Sequence, residues 1–165
     1  MSPAIASTLI LRELRAMRRE VDAYPNDGAP WRMLPGLPNS GGTLVLHCAG
    51  NLQHFVGAVL GGTGYVRDRA AEFSRREVPR SELRAELDRA IAAVEQTFAA
   101  LEPADLDRPY PGEVGGRIFT TDIFLGHLAV HLAYHLGQLD YHRRLVAGSG
   151  DSVGAMSLDE LSLTG

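Results

Sequence analysis

The residues best suited to chemistry in this chain are its histidines. There are six: His47 and His54 lie in one apolar segment, and His127, His131, His135 and His142 lie in another, HLAVHLAYHLGQLDYH (127–142). In a helix, residues four apart project to nearly the same side, about 6 Å apart along the axis. His131 and His135 can therefore both reach one ion, since an imidazole bonds zinc at about 2.0–2.1 Å. A third ligand has to come from another element. His47 is the best donor, because it sits in the middle of a separate helical pattern. Three neutral imidazoles that leave one or more positions open form a catalytic arrangement rather than a closed structural one. The other reading of the spacing is that these histidines only satisfy polar neighbours inside a helical core, and HxxxH alone does not separate the two.

Several familiar chemistries are excluded. HLAYH lacks the Glu of the zinc-protease HExxH motif. No Glu-x-x-His pair occurs anywhere in the chain, which argues against a di-iron carboxylate bundle. All sixteen basic residues are Arg, so lysine Schiff-base and phosphate-loop chemistry are ruled out. Cys48 points about 100° away from its neighbour His47 on a helix and reads as a small buried apolar residue.

Other residues take candidate roles around the histidines. Asn51 and His54 follow His47 by four and seven residues and share its face; they either orient imidazoles or serve backbone and surface. His54 and His127 are spare imidazoles that could act as a base. Tyr134 could steer a substrate, although packing is the commoner use of Tyr134 and Tyr141. Arg67 and Arg69, in a charged cluster with Asp68 and Glu72, could hold a substrate carboxylate or could simply pair among themselves. Gly137 is expected to permit close helix packing, Gln138 to bond a neighbouring loop, and His142 to lie on the surface.

Four amphipathic patterns must position these groups. The first runs from about Ala4 to Tyr24, with Ile5, Leu9, Leu14, Met17 and Val21 at helical spacing, and stops before Pro25-Asn26-Asp27-Gly28. The second runs from about Gly42 to Leu60 and ends at Gly61-Gly62. The third begins with Ser81 as N-cap and ends near Leu101. The fourth starts at Thr121 or Asp122, runs to about Val146 and stops at Gly148. Two long connections rich in Pro and Gly, residues 25–42 and 103–120, separate helices one from two and three from four, and VGGRIFT (114–120) is the only short extended piece. Residues 61–79 read as a loop that becomes charged. The expected fold is an all-α four-helix bundle over residues 1–147 with a tail, 148–165, holding one weak helical turn.

Composition sets the surroundings. The 165 residues suit one domain, with 45% hydrophobic and 22% charged residues. A net charge of −4 without a basic run is a poor match to nucleic acid. The apolar stretches read as too short for a membrane span, and the N-terminus lacks the pattern of a signal peptide. A single cysteine suits a reducing cytoplasm.

Two strings together resemble one family. HLAVHLAYHLGQLDYHRR (127–144) is similar to the last bundle helix of the DinB/YfiT-like superfamily, with its His-xxx-His-xxx-His-x-Gly-Gln pattern. LHCAGNLQHFVGAVLGGTGYVRDRAAEF (46–73) resembles a second helix of one branch, where His is followed by Ala-Gly-Asn and later by Arg-x-Arg-x-x-Glu-Phe. The resemblance implies a four-helix bundle holding a divalent metal on His47, His131 and His135, with His127 near the site but not a ligand. It also implies a metal-dependent hydrolase or a transferase or isomerase using a low-molecular-weight thiol, acting on a small molecule, with pairing into a homodimer. A non-catalytic or stress-related metal-binding bundle is the alternative. Zinc is the default metal, with nickel, copper, iron and manganese open.

Overall fold

In the computed structural model, which describes residues 1–161, the chain is all-helical: 64% helix and no strands among the described residues. The four long helices are α1 (Pro3–Asp22), α2 (Gly41–Leu52), α4 (Arg80–Ala100) and α5 (Thr121–Ala147), with a short α3 (Arg69–Ser74) between α2 and α4. Both α1 and α2 pack against α4 and α5, so consecutive α1 and α2 stand on opposite corners of the bundle. The long connection before α2 makes that diagonal crossing, and the topology is not a simple up-and-down bundle.

Each helix buries the stripe its periodicity defines. Ile10, Leu14, Met17 and Val21 of α1 meet Leu83, Leu87 and Val94 of α4 and Leu125, Leu128, Leu132 and Leu139 of α5 in one core. Every residue of α2 is buried. That continuous burial explains why Gly41–Leu60, unlike the sequence expectation, is long and apolar enough to pass for a membrane span: it is a core helix of a bundle, with 72% of that window buried. Close packing at its start requires glycine. A Cβ on Gly41 would lie 2.1 Å from the Tyr24 hydroxyl oxygen and 2.9 Å from His142 Nδ1.

The structure corrects four expectations. α2 does not stay α-helical to Leu60, because residues Gln53–Leu60 form π-helical turns. The charged stretch after α2 contains α3, capped by the Asp68 carboxylate accepting from the Ala71 N–H at 2.9 Å; six residues are too few for a periodic signal. Ser81 is not the cap of α4. The cap position falls two residues earlier, at Pro79, and Asp27 from the first connection accepts from the Arg80 side chain at 3.0 Å and from its backbone N–H at 3.4 Å. His142 is not on the surface but 1% exposed: its Nε2–H donates to the Arg32 carbonyl at 2.8 Å and its Nδ1 accepts from the Tyr24 hydroxyl at 2.5 Å.

The second connection holds two isolated antiparallel bridges, Pro109 with Thr120 and Val114 with Arg117, so the extended piece around 114–120 folds back on itself without forming a strand. Beyond α5, residues 148–161 return to the bundle. Carbonyls of Asp151 and Val153 accept from Arg143 (2.7 Å) and Arg19 (2.9 Å), and the weak helical turn falls at Asp159–Leu161. Residues 162–165 of the tail lie outside the described residues.

Candidate metal centre

The antiparallel seam of α2 and α5 brings three imidazoles from two helices to one point. His47 is buried on α2, and His131 and His135 are half-buried on successive turns of α5. Ring nitrogens of the three all lie within 4.8 Å of one another. His131 Nε2 is 3.4 Å from His47 Nε2 and 3.1 Å from His135 Nε2. Two nitrogens bound tetrahedrally to one zinc at 2.0–2.1 Å stand about 3.3 Å apart, so the spacing already suits a shared cation.

Hydrogen bonds on the far side of two rings decide where their lone pairs point. His47 Nδ1 is 3.0 Å from Glu72 Oε2. A carboxylate only accepts, so Nδ1 carries the proton and Nε2 presents its lone pair. His135 Nδ1 donates to Gln138 Oε1 at 2.8 Å, which leaves its Nε2 lone pair facing the same point. A single proton on His131 Nε2 could satisfy only one of these two neighbours. A cation satisfies all three nitrogens, and the residues present therefore fit one.

The electrostatics agree. Burial, together with the neighbouring His135 and His47 rings, pushes His131 down to about 4. Burial also lowers His135, against the opposing Gln138 hydrogen bond. These two α5 rings are pushed toward the neutral form, which is the form that binds metal.

Glu72 is the residue that the sequence reading left in an undifferentiated charge cluster. It is buried, its Oε1 accepts from Arg67 Nε at 2.7 Å, and its Oε2 accepts from Arg67 Nη2 at 2.9 Å while also taking the His47 proton. Burial would raise its carboxyl, but the hydrogen bonds from His47 and Arg67 outweigh it and hold the group below the usual carboxylate range. Gly50 makes the approach possible: a Cβ there would sit 2.4 Å from Glu72 Oε1. Gly50, Arg67 and Glu72 thus form a unit that orients His47. The only signal for it in the sequence was the pairing of Ala-Gly-Asn with Arg-x-Arg-x-x-Glu-Phe.

The remaining candidates are distributed around this centre. Arg67 is locked in the bidentate pair with Glu72 and lies over the Phe55 ring, and Arg69 lies over the Phe73 ring at 5.0 Å. Phe73 in turn packs 5.0 Å from the His47 ring. Asn51 is buried with its Oδ1 unpartnered, so it bonds neither an imidazole nor the backbone through that atom. His54 has an unpartnered buried Nδ1, and burial lowers its pKa. His127 is exposed, its ring centroid 6.1 Å from that of His131, and it does not join the triad. Tyr134 and Tyr141 are exposed rather than packed, with the Tyr134 ring 5.3 Å from that of His135. Gly137 makes no close contact, and Gln138 bonds His135 rather than a loop. Cys48 is buried, as expected of a small apolar side chain.

Comparison with known proteins agrees with this fold. No curated protein sequence matches the chain significantly. The fold is similar to the crystal structure of a DinB-like protein from Bacillus cereus ATCC 10987, with a TM-score of 0.65 and 19% identity over 86% of this chain and 90% of that one. The family model of the DinB superfamily matches residues 9–139, from the middle of α1 through the three histidines of α5. The chain therefore belongs to the DinB superfamily.

Proposed function

We propose that the protein is a divalent-metal-dependent enzyme that uses His47, His131 and His135 to activate a small thiol or water, as an S-transferase or hydrolase of small molecules in a reducing cytoplasm. One observation carries the reading: the Nε2 lone pairs of His47 and His135 are aimed at His131 by hydrogen bonds that fix the protons on their far nitrogens. When bound, the cation, zinc by default, would lower the pKa of a coordinated thiol or water toward neutrality.

The chain's own residues then divide the work. Glu72 and Gln138 hold two ligand rings in the binding tautomer. Phe73 packs on the His47 ring, with centroids 5.0 Å apart. The one buried carboxylate at the centre, Glu72, is committed to His47 and Arg67, which leaves His54 and His127 as the groups able to take a proton. A thiol held by the cation would lose its proton to solvent and would call on no further base from the chain, whereas attack by water would, and this favours thiol chemistry over hydrolysis.

A second reading, a metal-binding bundle without catalysis, is favoured by one observation. The two arginines offered as carboxylate holders are engaged, Arg67 with Glu72 and Arg69 over Phe73. One experiment tests both readings: metal content of wild type and His135→Ala, followed by turnover of model electrophiles with several thiols, with and without zinc. Loss of most metal in the variant, with thiol-dependent and chelator-sensitive turnover in the wild type, supports the enzyme. Metal loss without turnover leaves the non-catalytic bundle, and equal metal in both proteins overturns the site.

A further inference from the structure

The middle of α5 carries a glycine for which the fold gives no reason. Gly137 lies well inside the 27-residue helix, and its backbone is not left-handed. A Cβ there would meet nothing within 4 Å, so close packing does not demand it either. Glycine inside a helix is destabilising relative to alanine, and the one thing it provides here is room. That room belongs to a groove of about 450 Å³ between α5, the start of α2 and the first connection. Tyr134 and Tyr141 flank Gly137, three residues before it and four after, about 10 Å apart along the helix axis. Leu37, Pro38, Leu44 and Leu145 complete the apolar lining, and among the described residues no Asp, Glu, Lys or Arg side chain lines it.

The groove reaches the candidate metal centre. Gln138 lines it and accepts the His135 Nδ1 proton through Oε1 at 2.8 Å, and the Tyr134 ring centroid lies 5.3 Å from that of His135. With Oε1 so used, the amide N–H groups of Gln138 are the donors it has left, and the Asn39 amide, also in the lining, adds to them. His142 lines the groove too, but both its ring nitrogens are taken, by Tyr24 and by the Arg32 carbonyl.

We infer that this groove seats the electrophile that the activated thiol attacks, and that this substrate is a neutral aromatic compound bearing a carbonyl or similar acceptor. The size fits, since small-ligand pockets run to about 300–1,000 Å³. Two exposed tyrosines on either side of a glycine gap offer ring faces and edges to an aromatic ligand laid across the helix backbone. A carboxylate or ammonium in this lining would shed its water and meet no opposite charge, so the ligand is uncharged. One acceptor on it takes the free amide N–H groups, and an acceptor held by Gln138 stands one side chain away from His135. The description of the ligand as the electrophile rests on the enzyme reading above; the groove and the chemistry it selects do not.

Benzophenone, a neutral aromatic ketone that also photolabels the C–H bonds it touches, and benzoylbenzoate, its charged counterpart, test the inference by equilibrium dialysis and photolabelling of the full chain, metal-free and zinc-loaded. Benzophenone is expected to bind with a Kd below about 1 mM and to label the segments 37–44 and 134–145. Benzoylbenzoate is expected to bind more weakly. Gly137→Leu, which fills the groove and favours the helix, and Tyr141→Ser, which removes one aromatic wall, are each expected to weaken benzophenone about tenfold, with helical circular dichroism and metal content unchanged. No binding to the wild type overturns the inference. So does labelling elsewhere, equal affinity in both variants, or a preference for the charged probe. A sedimentation shift in Gly137→Leu without benzophenone binding to the wild type also overturns it, and gives the groove to a second copy of the chain. Binding as expected, in a zinc-loaded protein that turns over no electrophile with any thiol, upholds the groove and removes the enzyme reading alone.

Discussion

Glu72 accepts the Nδ1 proton of His47 at 3.0 Å from a position that only a bare α2 backbone leaves open. The contact lets a residue of the short α3, 25 positions away in sequence, aim the ring of a candidate metal ligand. Replacing the carboxylate by an amide, Glu72→Gln, removes the charge that holds Arg67 and permits an amide flip that no longer demands the His47 proton. Metal affinity is expected to fall about 10–100-fold, the usual effect of losing such a partner. Competition against a chromophoric chelator measures it. An unchanged affinity would show that His47 is oriented by packing against Phe73 instead.

Gly50→Ala tests the same device from the other side. Alanine is the better helix former, so a purely local effect would be stabilising by roughly 0.5–1 kcal/mol. The added Cβ would instead lie 2.4 Å from Glu72 Oε1 and push the carboxylate off His47. The variant is expected to lose metal affinity to the same degree as Glu72→Ala. The two substitutions combined should cost little more than either alone, since both remove one interaction. Additive losses in this double-mutant cycle would separate Gly50 from the metal centre.

How far the sequence discloses this architecture depends on the length scale of each feature. Long stripes such as Ile10-Leu14-Met17-Val21 and Leu83-Leu87-Val94 carry many turns of period and define their helices to within one or two residues. The triad was legible for a similar reason: His131 and His135 are fixed to each other by one helix, and His47 is the histidine in the middle of the other apolar helix. What was not legible depends on contacts between elements. The start of α4 is set by Asp27, 53 residues before Arg80, and the burial of His142 is set by Tyr24 and the Arg32 carbonyl. The π-helical turns of Gln53–Leu60 sit where Tyr110 donates to the Phe55 carbonyl at 2.6 Å and Thr97 to the Val56 carbonyl at 3.2 Å, both from distant segments. Hydrophobic period does not report such partners. Gln138 is intermediate: its three-residue offset from His135 was visible, but whether it turned inward to that ring or outward to a loop was not.

Acid should destabilise the protein in a defined window. His142 is buried and neutral, and burial lowers its pKa despite the opposing bond to the Arg32 carbonyl. His131 and His135 are lowered too, the first to about 4. For a group depressed on folding, the unfolded chain binds the proton first, so stability rises with pH between the folded and unfolded values. The metal-free protein is therefore expected to keep full stability above about pH 6.5, the ordinary histidine value, and to lose it progressively below. The urea midpoint recorded at intervals from pH 7.5 to 5 measures the slope. His142→Asn should flatten it, and an unflattened slope would place the sensitivity in the triad and His54 instead.

Arg143 and Glu20 make the last case, because their bond at 2.7 Å is 2% and 0% exposed on its two sides. It ties α5 to α1 on the side of the bundle away from the triad. Burial raises the Glu20 carboxyl, and the Arg143 guanidinium works against that rise. Two desolvated charges are worth little net stability together, but removal of one strands the other. Arg143 also donates to Asp140 at 3.0 Å and to the Asp151 carbonyl at 2.7 Å, so it anchors the returning tail as well. Arg143→Met alone is therefore expected to cost about 3–5 kcal/mol, and the pair Glu20→Leu with Arg143→Met less than that single change. Denaturant unfolding of the three variants decides it. If the pair costs the sum of its parts, the two groups are not coupled, and each substitution acts through its other contacts rather than by stranding its partner.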